Sequence, residues 1–116
     1  MNKVSIWAVL LWVGSIATAQ AHSHLRSSTP AEGSTGPAPL QAVLGFSEKS
    51  QLAALTLTRG AEPAIKVESL PQQAAQQLTV PLPKLATGAW TLTWRVIGDD
   101  GHVTHGTVHF TVAPAH

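Results

Sequence analysis

The chain has 116 residues, enough for one domain, and contains no cysteine, which excludes disulfides, thiolate metal sites and cysteine nucleophiles. Seven Lys/Arg against six Asp/Glu give a formal charge of +1. That balance leaves no basic surplus for nucleic acid and no basic face for anionic lipid.

Residues 1–21 read as a secretory signal. Lys3 supplies the positive start, residues 6–13 form an apolar run, and Ala19-Gln20-Ala21 is a small-x-small cleavage site. The run is shorter than the roughly 20 apolar residues that a membrane span requires, so the mature chain is expected to have no membrane insertion. Ala17-Thr18-Ala19 has the same small-x-small form and would leave Gln20 first. Cleavage after Ala21 instead leaves His22 first and a mature domain of residues 22–116. Met1 is the only methionine, so that domain also has no thioether ligand.

From His22 onward the pattern is that of β-structure. Leu40, Ala42, Leu44 and Phe46 alternate with Gln41, Val43, Gly45 and Ser47, a period of two that points one apolar face inward. Residues 53–59 repeat it, with Leu55 and Leu57 inward and the threonines outward. Leu78, Val80 and Leu82 predict a short strand ended by Pro83. The strongest strand has Trp90, Leu92, Trp94 and Val96 on one face and Thr91, Thr93 and Arg95 on the other. After a turn at residues 98–101, Val108, Phe110 and Val112 alternate with Thr107, His109 and Thr111. Residues 72–77 contain helix formers, but too few for a stable helix. Six or seven short strands without intervening helices predict an all-β domain, a small Greek-key β-sandwich or barrel.

Six histidines stand out in a chain with so few charged groups. His116 lies at the tail, His109 is expected to face solvent on the last strand, and His105 starts that strand; all three read as incidental. His22 differs, because a histidine at a free N-terminus offers its α-amine and a ring nitrogen together. The amine loses its proton near pH 7.7–8.0, about the neutral range in which a metal displaces it. A second imidazole and a carboxylate would complete a tetragonal nitrogen and oxygen set that suits Cu(II). Asp100-Gly101-His102 supplies both, with Gly101 permitting a sharp turn.

Four stretches carry a family resemblance: His22-Ser23-His24-Leu25 with Ser28-Thr29-Pro30; Phe46-Ser47-Glu48; Gly88 to Val96; and Asp100-Gly101-His102 followed by Gly106 and Phe110-Thr111-Val112. In this order and spacing the sequence resembles the CopC family of periplasmic copper-binding proteins across nearly the whole mature chain. The resemblance implies a cupredoxin-like or immunoglobulin-like β-sandwich and supports cleavage before His22. It implies that one Cu(II) per chain is held by the His22 amine and imidazole, the His102 imidazole and an Asp100 oxygen.

Glu48 lies at a family position assigned to a weaker or outer ligand; its other reading is a strand-end carboxylate exposed to water. Asp99 departs from the pattern, since the family more often has a small residue before the carboxylate ligand. A methionine-rich Cu(I) segment, present in some relatives, is missing here. His24 has three readings: a bystander or outer group, a direct ligand, or the third-residue imidazole of a square-planar N-terminal complex.

The function expected from the resemblance is non-enzymatic: copper homeostasis or resistance in the periplasm, with copper passed to an inner-membrane copper transporter or a periplasmic copper oxidase. Two other readings compete. One is a copper-dependent oxidative enzyme using the same N-terminal chelate. A carboxylate ligand would block its oxygen position, and with no tyrosine the chain offers no aromatic sugar-binding face. The other is a metal-free β-sandwich module for adhesion or assembly.

Overall fold

Inward alternation at Ala42, Leu44 and Phe46 continues without interruption through Ser50 and Leu52, and this one segment organises the domain. A computed structural model of the chain describes residues 24–115, among which every regular element is a strand. In chain order these are β1 (Leu25–Thr29), β2 (Ser34–Gly36), β3 (Gln41–Arg59), β4 (Ile65–Lys66), β5 (Ala75–Pro81), β6 (Gly88–Gly98) and β7 (Val103–Val112). The proposed leader, His22 and His116 lie outside the described residues.

The two runs expected as separate strands around residues 40–47 and 53–59 are one strand of 19 residues, β3. Its first half pairs antiparallel with β1 on one side and β5 on the other, Leu44 facing both Ser28 and Leu78. Its second half pairs with β6 and β4, Leu57 facing both Leu92 and Ile65. The sheet order is β1-β3-β6-β7-β2, with β4 and β5 also on β3, and β2 lies parallel to β7. Register shifts between Gly45 and Ser50 and between Leu52 and Ala54 mark where β3 bends from one group of partners to the other. The sheet therefore curls over its own apolar face, which is how a small all-β chain buries a core without helices.

That core contains the residues the alternation selects. Leu44, Leu55, Leu57, Val80, Leu92, Val96 and Val108 are essentially inaccessible, and Trp90, Trp94, Phe110 and Val112 pack with them. Phe46 and Trp94 meet edge to face with ring centroids 5.1 Å apart. The Trp94 ring lies over Gly106, where a β-carbon would come within 2.6 Å of Cζ2. Glycine at this position makes room for the indole.

Three local expectations need correction. Leu40 is 86 % exposed, because β3 starts one residue later and the alternation has not begun. Leu82 is only partly buried, since β5 ends at Pro81. Ala75, Gln76 and Gln77, read as helix formers, open β5: pairing with β3 outweighs a weak local preference.

Candidate metal centre

Three chain segments meet at one end of the sheet. The β6–β7 turn is closed by Gly101 N–H donating to Gly98 O (2.9 Å) and Gly98 N–H to His102 O (2.8 Å). Gly101 has φ +86°, in the left-handed region that favours glycine. Within this turn the Asp100 carboxylate takes the backbone N–H of His102 on Oδ1 (2.9 Å) and faces His102 Nδ1 with Oδ2 (3.0 Å). The carboxylate is 23 % exposed and the imidazole 65 %. Two-residue spacing is thus what lets one side chain both fold the turn and orient the ring. With Nδ1–H donating to the carboxylate, Nε2 carries the lone pair, the usual state of a metal-ligating histidine.

The turn is tied to the bend in β3, since Gly98 pairs with Ser50. Ser50 is fully buried and its hydroxyl donates to Glu48 O (2.9 Å). The start of β1 reaches the same bend from the other side. His24 N–H donates to Ser47 Oγ (2.8 Å), and Ser47 N–H donates to His24 O (2.8 Å).

Glu48 falls on the inward parity of β3, in the series Ala42, Leu44, Phe46, Glu48, Ser50. Its reading as a strand-end carboxylate exposed to water is therefore not met: the residue is half-buried. Its Oε1 is shielded from solvent and has no hydrogen-bond partner. A buried carboxylate oxygen without a partner is costly, and a cation or a donor would remove that cost.

Asp100 and His102 are brought together as expected. His24 lies exposed at the edge of this end, and His22 lies outside the described residues. Among the described residues no three His, Cys, Asp or Glu side chains gather into a metal-holding group. His105 lies across from Arg95 on the outer face of the sheet. His109 is exposed as expected, but it is not idle. Its N–H donates to Glu32 Oε1 (2.9 Å) and its Nδ1 faces Glu32 Oε2 (3.1 Å). The backbone hydrogen bond from His109 is the main cause that holds the Glu32 carboxyl below its usual range, helped by the ring contact and opposed by slight desolvation. Ser47, which anchors the start of β1, had no role in the sequence reading; only its place beside Glu48 hinted at one.

Comparisons with known proteins bear on this end of the molecule. The CopC domain profile matches residues 25–113. Copper resistance protein C of Pseudomonas syringae pv. tomato is 36 % identical over 106 residues, covering 83 % of this chain and 84 % of that protein. Copper resistance protein C of Xanthomonas campestris pv. juglandis is 35 % identical over 116 residues, covering 90 % and 91 %. The crystal structure of CopC from Methylosinus trichosporium OB3b superposes with a TM-score of 0.70 at 27 % identity, over 82 % of this chain and 97 % of that one. PcoC, a methionine-rich copper resistance protein from Escherichia coli, gives 0.58 at 28 %, over 79 % and 99 %. The match runs from the first strand to the residue after the last, and the curled all-β sheet is shared with solved relatives: this chain belongs to the CopC family.

Proposed function

We propose that this chain is a periplasmic Cu(II)-binding protein of copper homeostasis or resistance, exported by residues 1–21 and carrying one Cu(II) ion as cargo. The observation that carries this reading is the Asp100–His102 turn, where a carboxylate oxygen lies 3.0 Å from His102 Nδ1, an arrangement that suits Nε2 for metal binding. The family membership supports copper as the metal. So does the donor chemistry: imidazole and carboxylate with no sulfur in residues 22–116, a set that suits Cu(II) over Cu(I). The unpartnered Glu48 oxygen at the same end is a site where a cation would relieve a buried charge.

His22 would add the α-amine and a second imidazole. In the sequence it lies two residues before His24, the residue anchored to Ser47. In this reading Asp100 provides an oxygen as well as orienting His102, Glu48 is an outer group, and His24 stands beside the site. The amine and both imidazoles bind the metal only through a free nitrogen lone pair, so protons compete with copper and affinity falls as the solution is acidified. Release at a membrane transporter or a periplasmic copper oxidase is the use such a site would serve.

Mass spectrometry of the secreted chain, combined with copper titration and electron paramagnetic resonance, tests the proposal. A chain beginning at His22 should bind one Cu(II) with a tetragonal, nitrogen-rich signal. Adding one residue before His22, or His102→Ala, should each weaken binding strongly. Unchanged affinity in both variants, or a mature chain beginning at Gln20, would remove the proposed site.

A further inference from the structure

The outer face of the sheet, where β3, β6 and β7 lie side by side, holds polar groups that metal binding does not use. Leu92, Trp94 and Val96 on β6 are buried, so Thr93 and Arg95 between them project from the opposite face. Strand register sets Ala54 of β3 and His105 of β7 on either side of Arg95, and Thr56 and Thr107 on either side of Thr93. Leu52 and Leu55 are both buried, and the register shift between Leu52 and Ala54 leaves Ala54 on the outer face. A methyl group at this position, among longer neighbours, makes room for a depression of about 430 Å³ whose walls include Ala54, Thr56, Thr93, Arg95, Val103 and His105.

The depression is one-sided in charge. None of the chain's six Asp/Glu residues lines it. Arg95 and His105 are exposed, and among the described residues neither forms an ion pair. Arg59, by contrast, is taken up by Glu62 and by Thr87 O. A carboxylate suits the Arg95 set. The planar guanidinium offers two parallel N–H donors to its two oxygens, and threonine hydroxyls and an imidazole N–H can donate to the lone pairs that remain. Ala54 and Val103 supply apolar wall for a short aliphatic stem. Inorganic phosphate has no stem to place there.

We propose that this depression binds a carboxylate on a short aliphatic stem, either a glutamate side chain of a partner protein or a free aliphatic carboxylate, with Arg95 as its bidentate anchor. A single solvent-open pair of this kind holds weakly, so the dissociation constant for a short peptide is on the order of 1 mM. Val103 directly follows His102, so the bound group stands beside the candidate metal turn. A glutamate held there would keep a protein that exchanges metal with this one close to the Asp100–His102 turn. Neither the strand register nor the unpaired guanidinium depends on copper, and the site stands whether or not the metal binds.

Amide NMR titration of the chelator-treated protein purified from a bacterial periplasm tests it, with acetyl-Ala-Glu-Ala-amide raised to about 10 mM, ten times the expected dissociation constant. The shifts should saturate and centre on Ala54, Thr93, Arg95 and His105. Acetyl-Ala-Gln-Ala-amide and inorganic phosphate should each bind at least about tenfold more weakly, the first lacking the charge and the second the stem. Butyrate separates the two sources: affinity equal to the peptide's assigns the site to free carboxylates, and weaker affinity assigns it to a protein side chain. Arg95→Gln, which removes the fork, and Ala54→Leu, which fills the depression, should each weaken peptide binding at least about tenfold. Arg26→Gln, at an exposed arginine on β1, should leave it unchanged. Shifts that do not saturate, Glu and Gln peptides that bind alike, phosphate that binds as well as the peptide, or an Arg95→Gln variant equal to wild type would overturn the proposal. The amide spectrum of each variant reports its folding in the same experiment.

Discussion

Asp100→Asn separates what the carboxylate does from what the turn does. The amide oxygen can still accept the His102 backbone N–H that Asp100 Oδ1 takes at 2.9 Å, so the turn closed by Gly98 and Gly101 should survive. The change falls on the second contact. An amide N–H₂ placed where Oδ2 now faces His102 Nδ1 at 3.0 Å is a donor, and it forces Nδ1 to accept. The imidazole proton then moves to Nε2, and the nitrogen that should ligate the metal loses its lone pair. Loss of a carboxylate that only orients a ligating histidine costs about 10- to 100-fold in metal affinity, or roughly 1.4–2.8 kcal/mol. If an Asp100 oxygen also ligates Cu(II), the loss should exceed about a hundredfold. Competition titration against a chelator of known Cu(II) affinity reads this directly, with thermal melting of the metal-free protein as the control. The expected result is a large affinity loss with a nearly unchanged melting temperature. An Asn variant that binds Cu(II) within about threefold of wild type, less than the smallest loss of an orienting carboxylate, would refute both the tautomer argument and the site.

Three further outcomes follow from other parts of the molecule. Gly106→Ala should destabilise by about 1–2 kcal/mol, because its β-carbon would lie 2.6 Å from Trp94 Cζ2 and the packed indole cannot withdraw; thermal melting would check this, and Trp94→Phe in the same chain should recover part of the loss. Glu48→Leu should stabilise the metal-free domain by about 1 kcal/mol, since it removes a buried oxygen without a partner, while copper titration should find weaker binding. Glu32 has a lowered carboxyl in the folded state, so its contribution is present above its ordinary value of 4.5 and is lost as pH falls through the lower folded value. The melting-temperature gap between wild type and Glu32→Gln should accordingly shrink below pH 4.5, and a gap constant between pH 6 and pH 3 would exclude the His109 clamp as its cause.

The fold was largely readable because a half-buried sheet writes itself into a sequence with period two. Trp90, Leu92, Trp94 and Val96 on β6 and Val108, Phe110 and Val112 on β7 are buried as their alternation requires. Connectivity was less readable. The runs at residues 40–47 and 53–59 read as two strands, yet β3 runs through both with register shifts and bends instead of ending between them. Local residue chemistry is similar for a turn and for a bend, and only the neighbouring strands decide which forms. The Glu32–His109 clamp was unreadable for a related reason: its partners are 77 residues apart and meet because β2 pairs in parallel with β7.

Glu48 carries the sharpest lesson about the candidate site. Its neighbours Ala42, Leu44 and Phe46 already set the inward face of β3, and counting on by two reaches Glu48 and then the fully buried Ser50. The same alternation that predicts the core therefore places a carboxylate inside its rim. A chain gains no stability from pointing a charged group inward without a partner. On either side of Glu48 in sequence, Ser47 ties β3 to the start of β1 and Ser50 ties it to Gly98 at the base of the Asp100–His102 turn. Asp100 and His102 identify themselves by spacing; Glu48 identifies itself by the parity of its strand.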